Sequence, residues 1–206
     1  MLVHLRVPSE VSKLENALAR GADALWFEGS ASAMADCLRA ARQHAASRPQ
    51  LYVRLDRHGE TIEEALNELM PAAPDGIALP VRKGTDVEHL GVKLAVREAE
   101  LGLEDGITQI IGLVTAPAAI FQLATFTAAS HRLAALGFDT QSFAAALSAR
   151  DLDSGPLNLA RNLTLLAAKA AGIPALLIGE ETEGFAAASQ AAKRDGFEGI
   201  VTRSAP

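Results

Sequence analysis

The stretch QLYVRLDRHGETIEEALNELM (50–70) contains both halves of the unit that decides the fold of this chain. Residues 50–55 show the two-residue alternation of a β-strand, and residues 61–70 follow the 3.6-residue period of a helix. Thr61 and Glu64 stand at the spacing of a capping box, which marks a helix start. The stretch is therefore predicted to form a strand, a loop and a helix.

The same unit recurs along the chain, and each predicted strand except the last is followed by a helix. Strict alternation predicts a parallel sheet with right-handed crossovers, and eight units predict an α/β fold of the (β/α)8 TIM-barrel type. A doubly wound open sheet is the alternative, although no GxGxxG or P-loop follows the first strand. We expect one domain over residues 1–206. The predicted strands are 2–7, 23–28, 50–55, 76–80, 109–114, 132–138, 174–179 and 199–203.

The ends of two predicted elements carry further expectations. Ser9 is expected to cap the helix that follows the first strand. No helix is predicted after residues 199–203, so we expect a barrel without its final C-terminal helix. The flank between the eighth and first strands is then expected to lie bare, and exposed apolar faces are usually covered. We therefore expect a homo-oligomer or a partner subunit at this flank.

Composition excludes several classes of partner. The net charge is −6, and no basic cluster stands out in the sequence, which argues against nucleic acid and anionic membranes. No apolar run approaches the ~18 residues of a membrane span. The apolar stretch at the N-terminus is interrupted by polar residues too early for a signal peptide. The single cysteine, Cys37, fits a reducing compartment. These features predict a cytoplasmic protein.

The C-terminal ends of the strands are where such barrels carry their chemistry. Arg54 is the strongest candidate there, because alternation places it on the same inward face as Tyr52. A guanidinium group suits bidentate binding of a carboxylate or phosphate. The alternative is a structural ion pair with Glu28 at the neighbouring strand end, and the sequence leaves both interpretations open.

Two acids at strand ends are further candidates. Glu28 is a candidate general base, metal ligand or orienting partner of Arg54, and an ion pair is the competing interpretation. Asp139 is a candidate base or ligand, and the competing interpretation is an N-cap for the next helix. The histidines show no HxxxH or HxH spacing, so a zinc site is not expected. His4 and Arg6 share the polar face of the first strand, which is compatible with an inward position.

Several stretches, in this order and spacing, resemble the HpcH/HpaI aldolase and citrate lyase beta-subunit family over nearly the whole chain. Members of that family are (β/α)8 barrels and typically Mg²⁺-dependent lyases, which cleave or form carbon–carbon bonds in oxo acids and acyl-thioesters. The resemblance implies that Arg54 matches the family arginine that holds the substrate carboxylate. The matching stretches include LYVRLDR (51–57), PDGIALP (74–80), QIIGLVTA (109–116) and ARNLTLLAAKAAGIPA (160–175).

The departures from the family pattern fall on its metal site. Where the family has a metal-binding Glu after strand five, this chain has Thr115. The family has its second acidic ligand after strand six. When the following helix of this chain is aligned with that of the family, Ser142 falls at the ligand position, and Asp139 lies three residues earlier. At the end of strand two only the first acid remains, as Glu28. Magnesium prefers carboxylate oxygens, so the resemblance implies Mg²⁺ while the residues predict that its usual site is missing.

Two functions are compatible with this sequence. The first is a divergent carbon–carbon lyase of the aldolase or citrate lyase type, with Arg54 binding a small carboxylate or acyl-thioester and Glu28 or Asp139 as catalytic substitutes. The second is a non-catalytic barrel that binds a small anion or serves as a structural subunit. No cofactor is expected beyond the Mg²⁺ that the resemblance implies.

Overall fold

A computed structural model describes residues 1–44, 49–56, 61–179 and 184–203. Eight parallel strands form a closed barrel in the order β1 to β8, with β8 paired to β1. The closed ring confirms the predicted TIM-type fold and rules out the open sheet. The strands are β1 (Leu2–Pro8), β2 (Ala24–Glu28), β3 (Gln50–Arg54), β4 (Gly76–Pro80), β5 (Gln109–Val114), β6 (Leu133–Asp139), β7 (Ala175–Ile178) and β8 (Gly199–Thr202).

Helices surround the barrel, with two of them between β6 and β7. β8 is the last helix or strand in the part of the chain that the structure describes. None of the helices found there is long and apolar enough to cross a membrane. The helices are α1 (Val11–Ala19), α2 (Ala31–Gln43), α3 (Ile62–Leu69), α4 (Gly84–Leu101), α5 (Pro117–Ile120), α6 (Thr140–Leu147), α7 (Gly155–Ala170) and α8 (Phe185–Asp195).

Local capping follows the sequence at some helix starts and not at others. The Thr61 hydroxyl accepts from the Glu64 N–H and the Glu64 carboxylate accepts from the Thr61 N–H, which confirms the capping box. The prediction for Ser9 is wrong. Glu10 occupies the cap position of α1, and the Ser9 hydroxyl instead donates to the Glu28 carbonyl at 2.9 Å. A tertiary hydrogen bond between strand ends has taken the place of the local cap.

The barrel interior is a small, separate core inside the ring of strands. His4, Trp26 and Tyr52 occupy it with ring centroids 5.8–5.9 Å apart, and Trp26 Nε1–H donates to His4 Nδ1 at 2.9 Å. Gly76 on β4 leaves room for them, because a Cβ there would lie 2.7 Å from the Tyr52 ring. These aromatic rings and the aliphatic residues around them fill the barrel interior below its C-terminal end, which we call the mouth.

The flank between β8 and β1 is not a bare sheet face. The outward side chains of β1, Leu5 and Val7, are 2% and 3% exposed, and Ile200 and Thr202 on β8 are also buried. What remains beside α1 is a groove of about 280 Å³. The expectation of a bare flank is therefore wrong, because only a narrow groove is open there. The predicted oligomeric state stays a prediction.

Candidate site at the barrel mouth

Arg54 ends β3 and is buried at the C-terminal mouth of the barrel, with 8% of its surface exposed. Its Nε donates to Asp56 Oδ2 at 2.9 Å, and its Nη1 lies 2.7 Å from Asp139 Oδ2. Burial works against a charged guanidinium, but Asp139 and Asp56 outweigh it and raise the pKa of Arg54. The arginine is therefore a fixed cation inside a largely apolar barrel.

The pair formed by Arg54 and Asp139 crosses the mouth. Strands β4 and β5 lie between β3 and β6 in the barrel, so this ion pair joins opposite walls. Asp139 also caps α6, because its Oδ1 accepts from the Ser142 N–H at 2.9 Å. The predicted capping role of Asp139 is thus confirmed, and both of its carboxylate oxygens are engaged.

Glu28, at the end of β2, stands between two guanidinium groups. Its Oε1 lies 3.8 Å from Nη1 of Arg54 and 3.8 Å from Nη1 of Arg6. Neither distance is a hydrogen bond, and this buried oxygen has no hydrogen-bond partner. The predicted ion pair between Glu28 and Arg54 exists, but it is longer than the pairs that Arg54 makes with Asp56 and Asp139.

Arg6 is the second guanidinium at the mouth. It lies on the inward face of β1 and is 9% exposed, and its Nη2 donates to the Gly179 carbonyl at 3.2 Å. Burial is the largest influence and lowers the pKa of Arg6, Glu28 raises it, and the nearby Arg203 lowers it. The Nε of Arg6 is buried without a hydrogen-bond partner.

A cavity of about 460 Å³ opens beside Arg54 at the ends of β3 and β4. Its size falls in the range of small-molecule sites in proteins, ~300–1,000 Å³. Apolar side chains from the helices form one part of its wall, and polar groups form another. The described lining residues include Arg54, Asp56, Thr61, Asp86, His89 and Lys93, with Met34, Ile62, Ala65 and Leu90 as the apolar part.

Two of the carboxylates at the mouth already lie beside guanidinium groups in this arrangement. A magnesium site needs one or two available carboxylates, but Asp139 uses both oxygens and Glu28 lies between guanidinium groups. Thr115, which follows β5, and Ser142, in the first turn of α6, carry no charge. Within the described ranges, no three His, Cys, Asp or Glu side chains are grouped to hold a metal.

The structure brings Glu28, Arg54 and Asp139 together at one end of the barrel. Their functional roles stay predictions, because proximity does not establish chemistry. Sequence reasoning missed Asp56, whose signal was its position two residues after Arg54, on the same side of an extended chain. It also missed that Asp139 is the partner of Arg54 across the mouth, for which the sequence holds no local signal.

A closed barrel of eight parallel strands surrounded by helices is the architecture of a TIM barrel. The family model for HpcH/HpaI aldolase/citrate lyase matches residues 7–205. The chain belongs to this family. No curated protein sequence matches the chain.

Solved structures give the same fold at low sequence identity. RipC from Yersinia pestis is 21% identical, with a TM-score of 0.69 over 99% of this chain and 89% of that one. An HpcH/HpaI aldolase/citrate lyase family protein from Burkholderia cenocepacia J2315 is 18% identical, with a TM-score of 0.80 over 99% and 88%. A malate synthase from Haloferax volcanii is 14% identical, with a TM-score of 0.78 over 98% and 66%. At these identities the likeness establishes the fold alone.

Proposed function

We propose that the barrel mouth binds a small carboxylate of the oxo-acid class through Arg54, without Mg²⁺. The observation that carries this proposal is the pairing of Arg54 with Asp56, because both residues line the 460 Å³ cavity. A buried guanidinium with an exchangeable carboxylate partner at the edge of a cavity is a place where a ligand carboxylate can bind.

The two closest partners of Arg54 differ in how easily they can be displaced. The Asp139 side chain is 4% exposed and is also held by the Ser142 N–H, whereas the Asp56 side chain is 32% exposed. A ligand carboxylate offers Arg54 the same charge-assisted hydrogen bond that Asp56 offers. In this proposal the ligand carboxylate takes the place of Asp56, and Asp139 holds the guanidinium group of Arg54 in position to bind it.

Arg6 gives the mouth a second positive charge on the far side of Glu28. Its Nη1 and that of Arg54 are each 3.8 Å from the same Glu28 oxygen. The positive charge that a metal ion supplies in related lyases is supplied here by fixed guanidinium groups. The two guanidinium groups therefore support binding of an anion without a divalent cation. In this proposal the residues that would coordinate a metal ion for the usual metal-dependent reaction are missing.

Isothermal titration with oxaloacetate or pyruvate in EDTA tests this proposal. We expect binding in the millimolar range or tighter, with no gain on adding Mg²⁺. Asp56→Asn should tighten binding about tenfold, since one charge-assisted hydrogen bond contributes ~1.5–3 kcal/mol and the internal competitor is weakened. Unchanged affinity in Asp56→Asn, or binding that requires Mg²⁺, would contradict the proposal.

The controls separate binding from folding. Asp36→Asn removes an exposed carboxylate that pairs with Arg39 within α2, and it should leave the affinity unchanged. Arg54→Gln alone leaves Asp139 buried without its cation, so the double variant Arg54→Gln/Asp139→Asn is also needed. Both Arg54 variants should lose carboxylate binding. A folded double variant that keeps full affinity would make Arg54 a structural residue.

A divergent lyase is the second candidate, and Glu28 is the observation in its favour. Its Oε1 makes no hydrogen bond, which leaves a lone pair for a proton, whereas Asp139 has both oxygens engaged. Cleavage of malyl- or citramalyl-thioester should then occur in EDTA and fall sharply in Glu28→Gln. Cleavage that appears only with Mg²⁺ would contradict both candidates and restore the metal-dependent mechanism.

A further inference from the structure

We propose that the preferred ligand of the cavity beside Arg54 is a 2-oxo monocarboxylate with an apolar side chain of several carbons, rather than pyruvate or a dicarboxylate. This inference rests on the proposed function, because it takes Arg54 as the group that binds the ligand carboxylate. It concerns the rest of the 460 Å³ cavity, which is lined by residues of α2, α3 and α4 and by the end of β4. The side chains of that part decide which molecule fits beside the arginine.

The apolar part of the cavity wall comes from three helices and a strand. Its buried members, each at most 6% exposed, are Met34 on α2, Ala65 on α3, Leu79 on β4 and Leu90 on α4. These side chains therefore belong to the protein core as well as to the cavity wall. A wall of this kind favours an apolar group and offers no hydrogen bond to a polar one.

The cavity is larger than a short oxo acid needs. At about 460 Å³ it lies within the ~300–1,000 Å³ of sites that enclose drug-sized ligands, whereas pyruvate carries only a methyl group beside its oxo-acid head. Pyruvate bound by Arg54 would therefore leave much of the apolar wall in contact with water. A longer apolar side chain on the same head would cover that wall, and removal of apolar surface from water favours binding.

The charged groups of the lining do not favour a second carboxylate on the ligand. Besides Arg54, the only Lys or Arg among the described lining residues is Lys93, and its Nζ pairs with Glu63 of α3. Both side chains of this pair are at least 36% exposed, so exchange of Glu63 for a ligand carboxylate would gain little. Asp86 adds a negative charge to the same lining, where its Oδ2 accepts from two backbone N–H groups at 2.7 and 3.2 Å. A second ligand carboxylate would meet this charge or the apolar wall.

Isothermal titration in EDTA with two acids that share one head group, pyruvate and 4-methyl-2-oxopentanoate, tests this inference. We expect the longer acid to bind about tenfold more tightly, because its branched side chain covers apolar wall that the methyl group of pyruvate does not reach. Oxaloacetate should bind no more tightly than pyruvate. Equal affinities for pyruvate and the longer acid, or a preference for oxaloacetate, would overturn the inference and leave the binding role of Arg54 intact. Absence of binding by all three acids would overturn the proposed function together with the inference.

Two variants of the cavity wall locate the side chain of the longer acid. Ala65→Leu places a larger side chain in the cavity, so it should reduce the preference for the longer acid over pyruvate severalfold. Ile62→Thr puts a hydroxyl group into the apolar part of the wall and should also reduce this preference. Ile62 is half-buried at the start of α3, so this variant should fold even if leucine at position 65 disturbs the core, as circular dichroism can verify.

A matched control is available on α8. Ala187→Leu makes the same change as Ala65→Leu, but at an exposed helix position outside the cavity lining, and it should leave the preference for the longer acid unchanged. Equal losses of preference in Ala187→Leu and Ala65→Leu would overturn the inference. An unchanged preference in the folded wall variants would place the side chain of the longer acid outside this cavity and overturn it too.

Discussion

The barrel has a buried arginine–carboxylate network at each end, and the two networks are completed to different degrees. At the N-terminal end, Arg132 Nη2 lies 2.7 Å from Glu98 Oε2, and its Nη1 donates to Glu98 Oε1 at 2.9 Å. Glu98 also accepts from the N–H groups of Gly106 and Thr108, both at 2.9 Å. Although burial opposes it, these bonds lower the pKa of Glu98, so the carboxylate is charged and fully satisfied.

The network at the mouth lacks this completeness. Glu28 Oε1 and Arg6 Nε are buried without hydrogen-bond partners, and Glu28 is 3.8 Å from each of its two cations. In TIM barrels the N-terminal face serves stability and the C-terminal face serves activity. The comparison teaches that the charges at the N-terminal end are fully used in holding the fold, whereas part of the hydrogen-bonding capacity at the mouth is left unused.

Disrupting the network of Arg132 and Glu98 should give the largest change in the free energy of unfolding. Arg132→Met leaves Glu98 buried without its cation, and we expect a loss of ~3–5 kcal/mol in the free energy of unfolding. Urea unfolding followed by the fluorescence of Trp26, the one tryptophan of the chain, measures it. Arg194→Met, which removes a side chain that is 75% exposed, should cost less than ~0.5 kcal/mol. Equal costs for the two variants would show that the Arg132–Glu98 pair does not contribute to the stability of the fold.

The aromatic layer between the two ends gives the next effect, as a dependence of stability on pH. Burial lowers the pKa of His4 from 6.5 to about 4, against an opposing influence of Asp23. Between these values the unfolded chain binds a proton that the folded chain does not, so stability falls as the pH drops from about 6.5 to about 4. The loss should approach ~3 kcal/mol from this group.

His4→Gln isolates that contribution. Glutamine keeps an acceptor for the Trp26 N–H and has no proton to gain, so its stability should depend less on pH between about 4 and 6.5. The difference between the two urea-unfolding profiles across this range is the measurement. Parallel profiles for the parent chain and His4→Gln would show that the pKa of His4 is the same in the folded and unfolded chains, and that water reaches the barrel interior.

A smaller energetic effect comes from Tyr52 in the same layer. Burial, followed by the charge of Asp75, raises its pKa to about 12 from an ordinary 10.0. Since the chain has one tyrosine, absorbance at the tyrosinate band reports Tyr52 alone. The native protein should titrate about two pH units above the urea-unfolded chain. Coincident titration curves would mean that water reaches the layer separating the two networks.

The smallest effect is expected at the mouth itself. Glu28→Gln should change the free energy of unfolding by about 1 kcal/mol or less, because Oε1 has no hydrogen bond to lose. Glu98→Gln is the matched change at the other end, and it should cost severalfold more, because that carboxylate accepts hydrogen bonds on both oxygens. Equal costs would show that the mouth network is as complete as the one at the base.

Local signals predicted the fold well, and they failed where distant residues compete. Thr61 and Glu64 cap α3 as expected because both partners of the capping box lie within one turn. Ser9 does not cap α1, because the Glu28 carbonyl, 19 residues away, takes its hydroxyl. For the mouth, alternation correctly placed Arg54 inward with Tyr52, and the same alternation, carried two residues further, would have indicated Asp56 as a partner of Arg54.

By itself the sequence determined the alternation of strand and helix, the eight-stranded ring and the inward side of Tyr52 and Arg54, because these depend on period and on short-range sterics. Only the tertiary structure decided which charges meet. Closure of the barrel brings Asp139 on β6 to Arg54 on β3, although 85 residues separate them in the chain. Such a pairing depends on the geometry of the whole ring, and no local pattern encodes it.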